Sequence, residues 1–127
     1  DFMIKKIVGK VVVFTTKKPN SLVRTVFAVA QIKNIKKEVP YPSVDGYPSG
    51  FSDMVEINPK LCIEIPTSIS INFEQFYHKR WSQGLFRYLS NQEVKGILRD
   101  INNKMQKIGY NNEEIEKIDQ LGNISNC

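Results

Sequence analysis

Few side chains in this 127-residue chain could carry bond-making chemistry. The single histidine, His78, sits in Tyr77-His78-Lys79-Arg80, with no cysteine or carboxylate in a familiar relation to it. It reads as a surface or hydrogen-bonded structural residue. Cys62 alternates with Leu61 and Ile63 and reads as a small core residue. With Cys127 as the second cysteine, neither a disulfide framework nor a four-ligand zinc site can be assembled. Glu113, Glu114, Glu116 and Asp119 crowd the last helical stretch and read as a solvated face. A Walker-type phosphate loop and a dinucleotide glycine fingerprint are both missing. The expectation is a protein that is not an enzyme and uses no cofactor and no metal.

Recognition chemistry is better supplied. Binding nucleic acid without catalysis needs cations for phosphates and flat apolar faces for unstacked bases. Lys17, Lys18 and Arg24 surround a predicted hairpin, and Tyr41, Tyr47 and Phe51 follow in a proline-rich stretch. The formal charge of +5 is uneven: residues 1–37 hold nine Lys/Arg against Asp1, a balance of +8. Residues 38–60 carry four acids and Lys60, or −3, and the two later quarters hold +2 and −2. A basic N-terminal part suits a polyanionic partner. It also suits lysines that keep exposed strand faces soluble and unpaired. The three rings read either as stacking faces for a flipped base or as pins that hold an Ω-like loop.

The elements that must position these residues follow from the pattern. Residues 11–16 (VVVFTT) and 22–32 (LVRTVFAVAQI) are β-branched runs parted by turn residues, hence a hairpin whose second strand is buried on most of both sides. Residues 39–52 hold three prolines, two glycines and three aromatics, which predicts an irregular loop. Residues 54–57 and 61–65 predict two short strands, and residues 73–77 a helical turn. Ser90 with Glu93 forms a capping box that opens a helix, with Val94, Ile97, Leu98, Ile101, Met105 and Ile108 on one face and Gly109 as its stop. Asn111 with Glu114 opens a final helix, striped by Ile115, Ile118 and Leu121 and ended by Gly122. Strands followed by helices predict an α+β fold. Hydrophobic residues at 41% and charged residues at 24% are ordinary for one globular domain. The apolar runs are too short and too often charged to span a membrane, so a cytoplasmic protein is expected.

The run VVVFTT…LVRTVFAVAQIKNIKKE resembles the centre of EVE domains, the YTH-like branch of the PUA superfamily. Residues 65–98 are similar to the closing stretch of that family, where a Lys/Arg-Trp step, here Lys79-Arg80-Trp81, precedes an extended segment and a capped helix. The likeness covers residues 8–102, and the segment after Gly109 lies outside it. It implies a small PUA-like curved β-barrel with a packed helix over residues 1–109, and a C-terminal helical appendage over 110–127.

The resemblance further implies binding of DNA or RNA through a modified base, methylated in related readers, held in an aromatic pocket. By position, Tyr41, Tyr47 and Phe51 carry over to that pocket. Trp81 matches the family's Trp, with a barrel-end core residue as its other reading. Lys17, Lys18, Arg24, Lys79 and Arg80 are expected on the phosphates. A larger protein or partner subunit is compatible with such a module. A rival reading makes the aromatic stretch a docking surface for a protein partner, since Tyr and Trp serve protein hot spots equally well. A small-molecule barrel fits less well, because such a pocket does not need the basic part.

Overall fold

The structure, a computed structural model, describes residues 7–17, 23–43, 45–46, 48–77 and 89–125. Three strands, β1 (Val11–Lys17), β2 (Arg24–Tyr41) and β3 (Gly50–Glu64), form an antiparallel sheet in the order β1-β2-β3. A 3-10 turn (Phe73–Gln75) and two helices, α1 (Asn91–Lys107) and α2 (Asn112–Ser125), follow. The fold is therefore α+β, as the strand-then-helix order requires. An isolated bridge, Thr25↔Asn72, and the bond from Val26 N–H to Ile71 O (2.9 Å) add a one-pair fourth strand position. Among the described residues no ladder joins β1 to β3, and closure into a barrel is not found.

Among the described residues the sheet is three strands wide only at one end. β1 pairs with β2 from Val11↔Gln31 to Lys17↔Arg24, with a bulge that leaves Phe27 as the extra residue. Beyond Gln31, β2 and β3 are paired with each other to Tyr41↔Gly50, a two-stranded ribbon among the described residues. This corrects the expectation of an irregular loop over 39–52, because the ribbon absorbs 39–41 and 50–52 and the connection is 42–49. Pro40 is tolerated because, among the described residues, β2 has a neighbour on one edge only in this stretch. The two strands expected at 54–57 and 61–65 are one strand, β3. Asn58 and Pro59 occupy a wide register shift between Ile32↔Ile57 and Ala30↔Cys62.

One sheet face and both helices make the core. Val13, Val29 and Ile63 are cross-strand neighbours, with Val11, Leu61 and Ile65 beside them. They meet Val94, Ile97, Leu98, Ile101 and Met105 of α1, and Ile118 and Leu121 of α2. Each such side chain stabilises by about 1.5–3 kcal/mol when fully buried. The face-on stack of Phe73 and Tyr77, with centroids 5.3 Å apart, closes one end. The expected capping box is present: Ser90 Oγ accepts from Glu93 N (3.1 Å) and Glu93 Oε1 accepts from Ser90 N (2.7 Å). Gly109 stops α1 in the left-handed region at φ 67°. Asn111 Oδ1 caps α2 by accepting from Glu113 N (2.8 Å). Gly122 does not end α2, which runs on to Ser125; its bare Cα faces Leu98, and an added Cβ would stand 4.0 Å from that side chain. No helix among the described residues is long and apolar enough to cross a membrane.

Candidate nucleic-acid interface

Register decides which of the expected contact residues can act together. Lys17 and Arg24 are direct partners at the end of the β1–β2 hairpin where the chain passes from one strand to the other. Lys17 is exposed, and Arg24 Nη1 donates to Thr15 Oγ1 (3.1 Å), which fixes the guanidinium beside the hairpin. Tyr41 closes the same strand, 17 residues on. At about 3.3 Å per residue, the two ends of β2 are separated by up to roughly 55 Å. The cations expected to flank the rings therefore stand at the far end of the strand from them.

The rings themselves are exposed, Tyr41 to 44% and Phe51 to 72%. They do not share a slot. Tyr41 pairs with Gly50 and Phe51 with Pro40. Directly opposed residues share a face and successive residues alternate, so Tyr41 and Phe51 lie on opposite faces of the ribbon. The Tyr41 ring fills the space over Gly50, where an added Cβ would stand 2.9 Å from its hydroxyl oxygen. Tyr47, Trp81, Lys18, Lys79, Arg80 and His78 lie outside the described residues.

Sequence reasoning missed three features. Lys33, Lys36 and Lys37 are exposed on β2 between the hairpin and Tyr41, and Lys36 stands 3.6 Å from Glu56 across the ribbon. Their signal was the charge count itself, but only the length of β2 shows that they lead toward the rings. Phe27, 48% exposed, meets Phe14 at 5.9 Å on the sheet face away from the helices. Its exposure follows from the bulge, which alternation in the sequence does not reveal. The third is an open cleft of about 290 Å³ at the root of the ribbon, lined by Val8, Gly9, Gln31, Ile32, Lys33 and Asn58.

Cys62 is partly buried in β3. Burial pushes its thiol above the ordinary cysteine value, and the nearby Glu64 carboxylate pushes the same way. The thiol form is thereby favoured, which disfavours a nucleophilic role. Among the described residues, no cluster of three or more His, Cys, Asp or Glu side chains could hold a metal ion. No family model matches this chain, and neither the curated proteins nor the solved structures include one similar to it.

Proposed function

We propose that this chain is a non-catalytic nucleic-acid-binding domain of the EVE and PUA-like kind, engaging its polymer along β2 and a modified base through aromatic faces. The observation that carries this reading is the content of one strand. β2 runs from Arg24 through exposed Lys33, Lys36 and Lys37 to exposed Tyr41, with Lys17 paired at its start and Phe51 beside its end. Contacts spread over tens of ångströms suit a polymer rather than a small molecule. Cations along the track oppose phosphates, and an exposed ring contributes about 1–3 kcal/mol by stacking on a base. The Lys36–Glu56 pair is exposed and weak, so a phosphate can replace the carboxylate at little cost.

Because Tyr41 and Phe51 face opposite ways, an aromatic cage takes one of them, with Tyr47 and Trp81 as the further aromatic candidates from the sequence. The finer fold belongs to the same proposal. α2 touches both outer strands, β1 and β3, which supports a sheet curved toward a PUA-like barrel. The test is fluorescence anisotropy with a methylated oligonucleotide and its unmodified twin. Tyr47→Ala is expected to weaken the methylated duplex or strand more than its twin, and equal losses remove the cage.

A protein-docking role is favoured by one observation, the 72% exposure of Phe51 at the end of a ribbon. A pull-down run beside the oligonucleotide titration separates the two. Capture of a protein partner that Phe51→Ala abolishes, with no oligonucleotide bound, transfers the ribbon to that role.

A further inference from the structure

The cleft at the root of the ribbon is placed where two strands break pattern together. β1 begins opposite Gln31, and the chain enters it through Gly9, held at φ 86°. Gly9 N still donates to Ile32 O and Ile32 N to Lys10 O, both at 2.8 Å, so the turn is fastened to β2. Opposite, β3 places four residues between Ile57 and Cys62 against the single Gln31 of β2, and this shift turns Asn58 toward Gln31. Bulges of this kind re-aim side chains and recur beside binding sites.

The two carboxamides then form one chain of hydrogen bonds. Gln31 Nε2 donates to Gly9 O (3.2 Å), Asn58 Nδ2 donates to Gln31 Oε1 (3.0 Å), and Lys60 N donates to Asn58 Oδ1 (3.1 Å). Each amide nitrogen has two hydrogens and each amide oxygen two lone pairs. After these three bonds, each carboxamide keeps one donor and one acceptor. Both are only partly buried, and both line the open cleft of about 290 Å³. Val8 and the buried Ile32 supply apolar wall, and Lys33 is exposed at the rim.

We propose that this cleft is a nucleobase site: the spare donor and acceptor of Gln31 and Asn58 take the hydrogen-bonding edge of one unstacked base, and Lys33 takes its phosphate. A carboxamide can present both groups to a base edge at once. Val8 and Ile32 meet the flat face of the base. All four bases carry a donor beside an acceptor, so the cleft recognises the presence of a base more than its identity. The proposal rests on the nucleic-acid reading and adds a base contact that the ribbon rings do not provide.

The test is an NMR titration of the whole chain with the four nucleoside 5′-monophosphates, and with ribose 5-phosphate as the baseless probe. The expected result is that the monophosphates shift the Gly9 and Lys33 amides and the side-chain amides of Gln31 and Asn58, while ribose 5-phosphate leaves those side-chain amides in place. Asn58→Asp keeps the acceptor for Lys60 N–H and removes the donor. It is expected to weaken the monophosphates about tenfold, with thermal unfolding showing that the fold is kept. Gln31→Glu serves where Asn58→Asp fails to fold. Silence of the cleft resonances to millimolar ligand, equal shifts from ribose 5-phosphate, or unchanged affinity in a folded variant overturns the proposal. A mixed-sequence oligonucleotide run in parallel keeps the two readings apart. If it binds in a salt-dependent way while the cleft stays silent, the polymer reading stands and the cleft falls. If it does not bind while monophosphates occupy the cleft, the base site stands and the polymer track falls.

Discussion

The Tyr41 ring lies across the Gly50 backbone, whereas Phe51, one register step away on the other face, leaves 72% of its surface in water. Removing each ring therefore has a different signature. Tyr41→Ala uncovers Gly50 and is expected to lower stability by roughly 0.2–1 kcal/mol, the range of cross-strand pairs. Phe51→Ala is expected to leave stability within about 0.5 kcal/mol. Loss of the ring that stacks on the base is expected to weaken an oligonucleotide by about 1–3 kcal/mol, and loss of the other to leave its affinity unchanged. Thermal melts beside anisotropy titrations check the split, and a Phe51→Ala variant that melts early but binds normally contradicts it. Cys62 gives a second prediction at this scale. Its thiol is raised by burial first and by Glu64 second, so the neutral form is favoured in the folded state. The folded thiol then resists ionisation as pH climbs past the ordinary cysteine value, while the unfolded thiol ionises there. Stability from this group is complete below that value and is lost as pH rises from it through the raised folded value. In a Cys127→Ser background, iodoacetamide is expected to label folded Cys62 slowly at neutral pH. Rapid labelling there contradicts the burial account.

At the scale of elements, the helices were legible and the ribbon was not. Ser90, Glu93 and Gly109 act locally, through bonds within a turn of their own positions, so their types suffice to place both ends of α1. Ser90→Ala is expected to cost about 1 kcal/mol, which differential scanning calorimetry reads as a fall in Tm of about 4 °C. An unchanged Tm means that the box does not hold the helix start. Gly122 misled because its reason is tertiary: it sits against Leu98 of the neighbouring helix and lets α2 continue. The prolines and glycines of 39–52 misled in a similar way. Pro40 and Gly50 forbid a central strand but not a two-stranded ribbon with a bare edge and a tyrosine laid over the glycine. The bulge between Lys36 and Val39 sets which face each ring takes, and no feature of the sequence announces that shift. Likewise, Gln31 and Asn58 lie 27 residues apart and become neighbours only through the break in β3.

For the molecule as a whole, the basic balance of the first 37 residues acquires direction from β2. The sequence told that these residues were cationic. It could not tell that Lys17 and Arg24 stand at one end of an 18-residue strand, with Lys33, Lys36 and Lys37 partway toward the rings. The ribbon is not uniformly positive: Glu56 of β3 stands beside Lys36, and β2 itself carries Glu38 between Lys37 and Tyr41, so the cationic stretch of β2 ends at Lys37. A polymer lying there releases counterions in proportion to the phosphates neutralised. The most direct measurement is the affinity of a short single-stranded oligonucleotide across a salt series, for the wild-type chain and for Lys33→Ala/Lys36→Ala/Lys37→Ala together. Log affinity is expected to fall linearly with log salt, and the triple variant to flatten the slope by roughly two, about 0.7 for each lost phosphate contact. Binding that ignores salt, or a triple variant with the wild-type slope, contradicts a nucleic-acid track along β2.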